Sequence, residues 1–374
     1  MYRVGIVIGT RPEAIKLAPL VRALQETDMT PVVIMTGQHD TLMAPVADFF
    51  GLRGDHVLGV MVPGQSLAAL HANLLHALDG VMSDVDAVVV QGDTTSALAG
   101  AMAAFYHHRP VFHVEAGLRT ASIKAPFPEE WNRRVIDEVA TLRFAPTQQA
   151  LDTLRAEGRG DGSWMVGNTV IDALQMGLDL MDAQGDTPYR DWAVRHGLLR
   201  RPHLVLVTTH RRENAGEPLQ HIIAALRQLV VMFPDVEIVL PVHQNPAFKP
   251  VITGALQGVP GIALVDPLPY DQLLWLLREC RLVLTDSGGL QEEAPALHKP
   301  VLVMRDETER PEGVAAGCAR CIGTRTDHLV AAVTELLTQP TVAHQMATAI
   351  NPYGDGTACQ QIVSHIHAWR NQHA

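Results

Sequence analysis

The chain of 374 residues contains only four cysteines, Cys280, Cys318, Cys321 and Cys359. Cys318 and Cys321 have the spacing of metal ligands, but no second pair completes a site. Reduced thiols are therefore expected rather than a structural zinc. No run of about 18 apolar residues occurs, so no segment is expected to span a membrane. The opening MYRVGIVIGT runs straight into a strand and lacks the apolar core of a signal peptide, which points to the cytoplasm. Charge is sparse as well. Charged residues make up 18% of the chain, 29 Lys and Arg against 40 Asp and Glu, for a net charge of -11. That excess is spread along the sequence and disfavours nucleic-acid partners, although a local basic patch can still meet an anionic ligand. Neither the dinucleotide-binding glycine fingerprint nor the P-loop pattern occurs in its required setting. Nicotinamide chemistry and P-loop hydrolysis both lose weight. There is no short-period repeat and no low-complexity tract.

What is present is alternation. The runs RVGIVIG, PVVIMTG, DAVVVQGD, PVFHVEAG, LRFAP and SWMVGN are separated by segments such as PLVRALQET, LAALHANLLHALDG and SALAGAMAAFYHH, with apolar residues at helical spacing. Strands that read as nearly solid apolar runs belong to parallel sheets covered on both faces. The pattern breaks near residues 181–202 and restarts with HLVLVTTH, VEIVLPVH, GIALVDPL, RLVLTDSGG and KPVLVMRD. The expected fold is α/β, with two Rossmann-like domains whose parallel sheets face each other across a deep cleft. The expected boundaries are 1–170, 171–354 and a final helix in 355–374 that can pack back on either domain, the N-terminal one being the expectation.

In open α/β sheets, ligands bind beyond the carboxyl ends of the strands, and most unusual residues of this chain sit there. In TDSGGLQEEAP, Ser287, Gly288 and Gly289 can offer backbone N–H groups to a phosphate at a helix start; the alternative is a tight strand-to-helix turn. Glu292 and Glu293 follow, as acceptors for a ribose diol or as first-turn partners of the helix dipole. GTRPEAIKLAPL is a second such turn, with Arg11 and Lys16 available to a diphosphate or simply solvated. Asp93 ends one strand and Glu115 the next. The alternatives are an N-cap role for Asp93 and an ion pair of Glu115 with Arg119 or Arg133. Glu129 can pair with Arg133 four residues on, leaving Glu130 as a first-turn charge. Carboxylates that share a confined site push their proton affinities apart, as an acid and a base require. His210 ends a strand beside Arg211, Arg212 and Glu213, and His243 holds the matching place on the next. A metal site from these histidines lacks tight ligand spacing. No metal or redox cofactor is required.

In order along the chain, GTRPEAIKLAPL, QGDTTSALA, HVEAGLRT, PFPEEWNRR, VGNTVIDAL, THRREN, PVHQNP, TDSGGLQEEAP, KPVLVMRDETERPE and NPYGDGTA resemble the signatures of the non-hydrolysing UDP-N-acetylglucosamine 2-epimerases. The resemblance implies a dimeric twin Rossmann-like enzyme without cofactor, converting UDP-GlcNAc and UDP-ManNAc reversibly by loss and re-addition of UDP through 2-acetamidoglucal. It implies Asp93, Glu115 and Glu129 as catalytic carboxylates. Arg11, Lys16, Arg133 and His210 become charge-stabilising and positioning groups, and Ser287, Gly288, Gly289 and Glu293 contact UDP; His243 joins the substrate-binding set. In some members a second UDP-GlcNAc activates. Here Gln38 matches that site, while Thr41 and Gly64 depart from it, leaving His39, Gln65, Arg211 and Arg212 as further candidate contacts. Thr209 stands where the family usually has Gly, a β-branched residue expected to restrict the strand end next to His210. The alternatives are a 2-epimerase of a modified UDP-acetamido sugar or a UDP-sugar glycosyltransferase of the same fold.

Overall fold

The structure, a computed structural model, describes residues 1–37, 40–62 and 64–373. The first sheet has seven parallel strands: β1 (Tyr2–Ile8), β2 (Met29–Met35), β3 (His56–Val57), β4 (Ala87–Gln91), β5 (Val111–Val114), β6 (Leu142–Ala145) and β7 (Ser163–Met165), in the order β3-β2-β1-β4-β5-β6-β7. The second has six: β8 (His203–Thr208), β9 (Val236–Pro241), β10 (Ile262–Val265), β11 (Leu282–Thr285), β12 (Val301–Val303) and β13 (Ala319–Cys321), ordered β10-β9-β8-β11-β12-β13. Of the four edge strands, β3 and β13, two and three residues long, carry too short an apolar run to be read from sequence.

The strands lack alternation because helices cover both faces. Every residue of β4, AVVVQ, is buried. Its following helix, Thr95–Tyr106, buries seven consecutive residues from Thr95 to Ala101, which a half-exposed amphipathic helix does not do. Gly9 shows how closely the turn after β1 approaches this helix. A Cβ there would lie 2.1 Å from the Ser96 hydroxyl oxygen, so no larger residue fits.

The chain divides into two compact units, Met1–Met176 with Tyr353–Ala374, and Gly177–Pro352. The last helix, Ala358–His373, is part of the first unit. Asn168 N donates to Tyr353 O at 2.7 Å, and Asp172 Oδ1 accepts from Cys359 N at 2.8 Å, capping the helix. Further along, Trp369 meets Phe112 of β5 edge-on at 5.6 Å and His365 stacks on Trp164 at 4.2 Å. Among the described residues, no helix is long and apolar enough to cross a membrane.

Candidate active site

In each sheet the strand order reverses at one point, between β1 and β4 and between β8 and β11. Crevices at such switch points are where doubly wound sheets bind ligands. Arg11 and Asp93 flank the first point and His210 and Ser287 the second, with Glu115 and His243 one strand further out.

In the first unit, Glu115 follows β5 with a left-handed backbone, φ 66°, an arrangement that costs a non-glycine residue about 1–2 kcal/mol. Its Oε2 accepts from Lys16 Nζ at 2.5 Å and from the Gln91 side-chain amide. The Glu115 and Lys16 side chains are both mostly buried, 8% and 14% exposed, so water screens their attraction little. Asp93 follows β4, and its Oδ2 accepts from Arg133 Nη2 at 2.6 Å. Burial raises the Asp93 carboxyl above the ordinary range. Arg133 opposes the rise, the charges of Glu115 and Glu129 add to it, and Lys16 weakly offsets it. Asp93 thus feels the charge of both other acids. Arg11 opens the helix Arg11–Gln25, and Lys16 lies a turn and a half further along it.

Glu13, beneath this group, is 1% exposed. Its Oε2 accepts from Gly9 N at 2.8 Å and Thr10 N at 2.6 Å, and its Oε1 from the Thr94 hydroxyl at 2.5 Å. Thr94 caps the next helix, accepting from Ala97 N at 3.0 Å, so one carboxylate ties the turn after β1 to the turn carrying Asp93. Burial raises Glu13 to about 6 despite these donors. A raised acid is favoured protonated in the native state. Its contribution to stability is present below the unfolded value near 4.5 and lost as pH rises through about 6. Glu13→Gln keeps the acceptor and abolishes the titration. Relative to the variant, the wild type should lose about 1–2 kcal/mol between pH 4.5 and 6.5, measured by urea unfolding at both pH values; a gap independent of pH would contradict the raised carboxyl.

In the second unit, Asp286 is fully buried and gathers the loop after β8. Oδ2 accepts from Thr209 Oγ1 (2.9 Å), His210 N (2.9 Å), Arg211 N (3.0 Å) and Asn214 Nδ2 (2.9 Å). Oδ1 lies 3.0 Å from His210 Nδ1. Burial works to raise the Asp286 carboxyl, but these donors, His210 foremost, hold it at about 2. The His210 ring, 39% exposed, stacks on His243 at 5.8 Å, and His243 Nδ1 accepts from Asn245 N at 3.2 Å. Ser287 stands at the N-cap position of the helix Gly288–Ala296 without a side-chain capping bond, and the helix's first amides have no acceptor within the helix. Arg211 lies beside that helix start, its Nη2 3.6 Å from where a Cβ on Gly288 would be. A cation next to open helix amides is a seat for an anion.

Several expectations need correction. The helix cap expected of Asp93 is Thr94. Glu115 pairs with Lys16 rather than Arg119 or Arg133, because Arg119 is held by Asp137 and Glu157, and Arg133 by Asp93 and Glu130. Arg133 therefore does not take Glu129 as its partner. Glu130 is a first-turn acid as expected, but it is also fully buried and accepts from Thr120 N at 3.0 Å and Arg134 Nε at 2.7 Å, anchoring the loop after β5. Glu292 and Glu293 are not first-turn acids; they lie further in, held by Arg310 and by the Tyr270 hydroxyl at 2.8 Å. Thr209 has a reason to be there, since its hydroxyl is one of the donors to Asp286. Of the candidate activator contacts, Gln38, His39 and the Thr41 side chain lie outside the described residues. Gln65 accepts from Asn73 Nδ2 at 3.3 Å. Gly64 is exposed, with φ 76°, and Arg212 opens a short turn, Arg212–Asn214. Sequence reasoning missed Gln91, Glu13 and Asp286. Thr10-x-x-Glu13 carries a capping-box signal, and Asp286 itself ends the β11 run; Gln91, inside a strand, carries none.

Two doubly wound parallel units with acids at one switch point and a glycine-led helix start at the other match the class of Rossmann-like nucleotide-sugar enzymes. A family model described as UDP-N-acetylglucosamine 2-epimerase matches residues 22–367. A UDP-N-acetylglucosamine 2-epimerase of Yersinia pestis is 44% identical, over 96% of this chain and 97% of that protein. The crystal structure of UDP-GlcNAc 2-epimerase from Neisseria meningitidis bound to UDP-GlcNAc superposes with a TM-score of 0.89 at 38% identity, covering 98% of this chain and all of that one. A co-structure of S. aureus MnaA with UDP does so at 0.87 and 38%, covering 99% and 97%. The chain belongs to the UDP-N-acetylglucosamine 2-epimerase family, a family of isomerases.

Proposed function

We propose that this enzyme interconverts UDP-GlcNAc and UDP-ManNAc by elimination and re-addition of UDP. The observation that carries the reading is the grouping of Asp93 and Glu115 at adjacent strand ends with Glu129 at the start of the next helix. Carbon 2 of the sugar has no neighbouring carbonyl to acidify its proton. Elimination solves this: a carboxylate takes the proton, the C–H electrons become the C1=C2 bond, and the C1–O bond breaks toward the diphosphate. The products, 2-acetamidoglucal and UDP, recombine with the proton returned to the opposite face. Such a cycle needs one acid that holds its proton and another that is ionised. Asp93, pushed up by burial while Arg133 holds it, and Glu115, ion-paired with Lys16, supply two acids in different surroundings. Charge developing on departing UDP is met by Arg11, Arg133 and His210. Ser287, Gly288, Gly289 and Glu293 hold the nucleotide, with His243 beside His210.

The test is turnover in heavy water with no added metal or NAD. The recovered nucleotide sugar should carry deuterium at carbon 2 by NMR. Epimer formed without deuterium there would overturn the elimination route.

A further inference from the structure

His113 and Asp137 are both completely buried, and no step above uses them. His113 lies in β5, two residues before Glu115. Asp137 lies on the helix Glu129–Val139, whose first turns carry Glu129 and Arg133. The ring's Nε2 is 2.8 Å from Gly92 O and its Nδ1 is 2.6 Å from Asp137 Oδ1. A carbonyl oxygen only accepts, so Nε2 carries a hydrogen. Burial pushes the Asp137 carboxyl up, yet His113 and Arg119 outweigh it and hold it below its ordinary range. Asp137 Oδ1 faces Nδ1, so the ring bridges the turn carrying Gly92 and the helix carrying Asp137.

Both members of the pair grip backbone beside the acids. Gly92 immediately precedes Asp93. Asp137 Oδ2 accepts from Gly117 N at 3.3 Å, two residues beyond Glu115, and from Arg119 Nη1 at 2.8 Å. Gly92, Glu115 and Gly117 all have left-handed backbones, φ 67°, 66° and 86°, so these are sharp turns on which the direction of each carboxylate depends. Asn132, on the same helix as Asp137, holds Asp93 O at 2.7 Å. A buried ion pair is commonly no more stabilising than well-packed apolar residues, so stability alone is a poor reason for placing one behind two functional turns.

We propose that His113, through Asp137 and Gly92 O, is a positioning residue that sets the spacing of Asp93 and Glu115. The proposal rests on the reading that these carboxylates transfer the carbon 2 proton. Two variants separate its bonds. In His113→Asn the amide stands near Nδ1 and meets Asp137 but leaves Gly92 O unheld; in His113→Gln the amide stands near Nε2 and holds Gly92 O. H113N should lower kcat roughly tenfold to a hundredfold, the scale of a small misplacement of reacting groups, with KM and UDP affinity within about threefold of wild type. H113Q should recover a substantial part of kcat. Wild-type kcat in H113N, no recovery in H113Q, or a loss confined to KM and UDP affinity would each overturn the proposal. Nitrogen NMR of the wild-type ring needs no variant: Nε2 should carry the hydrogen that Gly92 O accepts, and a bare Nε2 would also overturn it. Should the wild type fail to epimerise UDP-GlcNAc, the functional reading falls, while the ring measurement still judges the pair.

Discussion

Glu115→Gln is expected to lower turnover by roughly 10²–10⁴-fold, the range for loss of a general acid–base group, while UDP still binds. The amide keeps the shape and can accept from Lys16 as the carboxylate does. It cannot take a proton from carbon 2. The second unit has its own organising carboxylate, Asp286, which holds the loop of His210 and Arg211. Steady-state rates and calorimetric titration with UDP, on one preparation, separate the two effects. Near-normal turnover would move proton transfer to Asp93 and Glu129. Loss of UDP affinity with an intact fold would recast Glu115 as the partner that fixes Lys16.

Asp286→Ala should destabilise the second unit by about 2–4 kcal/mol, because it removes the oxygen on which four donors converge. Thr209, Asn214 and the amides of His210 and Arg211 then lose that acceptor inside a dry site, at about 1–3 kcal/mol for each one left unpaired. The sign with pH follows from the depressed carboxyl. Its stabilisation is complete above the unfolded value near 3.8 and is lost only as pH falls through about 2. Urea unfolding of wild type and variant should therefore give the same gap at pH 5.5 and pH 8. A gap that closes between these values, or one below about 0.5 kcal/mol, the level of an inconsequential substitution, would show that the carboxylate is not what holds the loop.

The strands are legible in the sequence wherever both faces are covered, as in AVVVQ of β4 and HLVLVT of β8, because burial leaves an unbroken apolar run. The site acids are legible for a related reason: Asp93 and Glu115 interrupt such runs at their carboxyl ends, where few residues are polar without cause. Their partners are a different matter. Lys16 is 99 positions from Glu115 and Arg133 is 40 from Asp93, and only the strand order brings them together. Local spacing instead suggests Glu129 with Arg133, a helix-face pair that loses because Arg133 is drawn to Asp93 and the buried Glu130. His113 is the hardest to see. A single histidine inside VFHV looks like core packing, and its meaning lies in Gly92 O and Asp137, 21 and 24 positions away.

The helix Ala358–His373 completes the first unit, which bears on the order in which the protein can fold during synthesis. Residues 177–352 emerge from the ribosome as a finished unit, free to form their own core at once. The earlier residues still lack their last helix at that point. Until the segment beyond 352 has been made, Asp172 has no Cys359 amide to cap, and Phe112 and Trp164 lack Trp369 and His365 against them. The unit begun first is the one finished last, and it is the one that bears the acids.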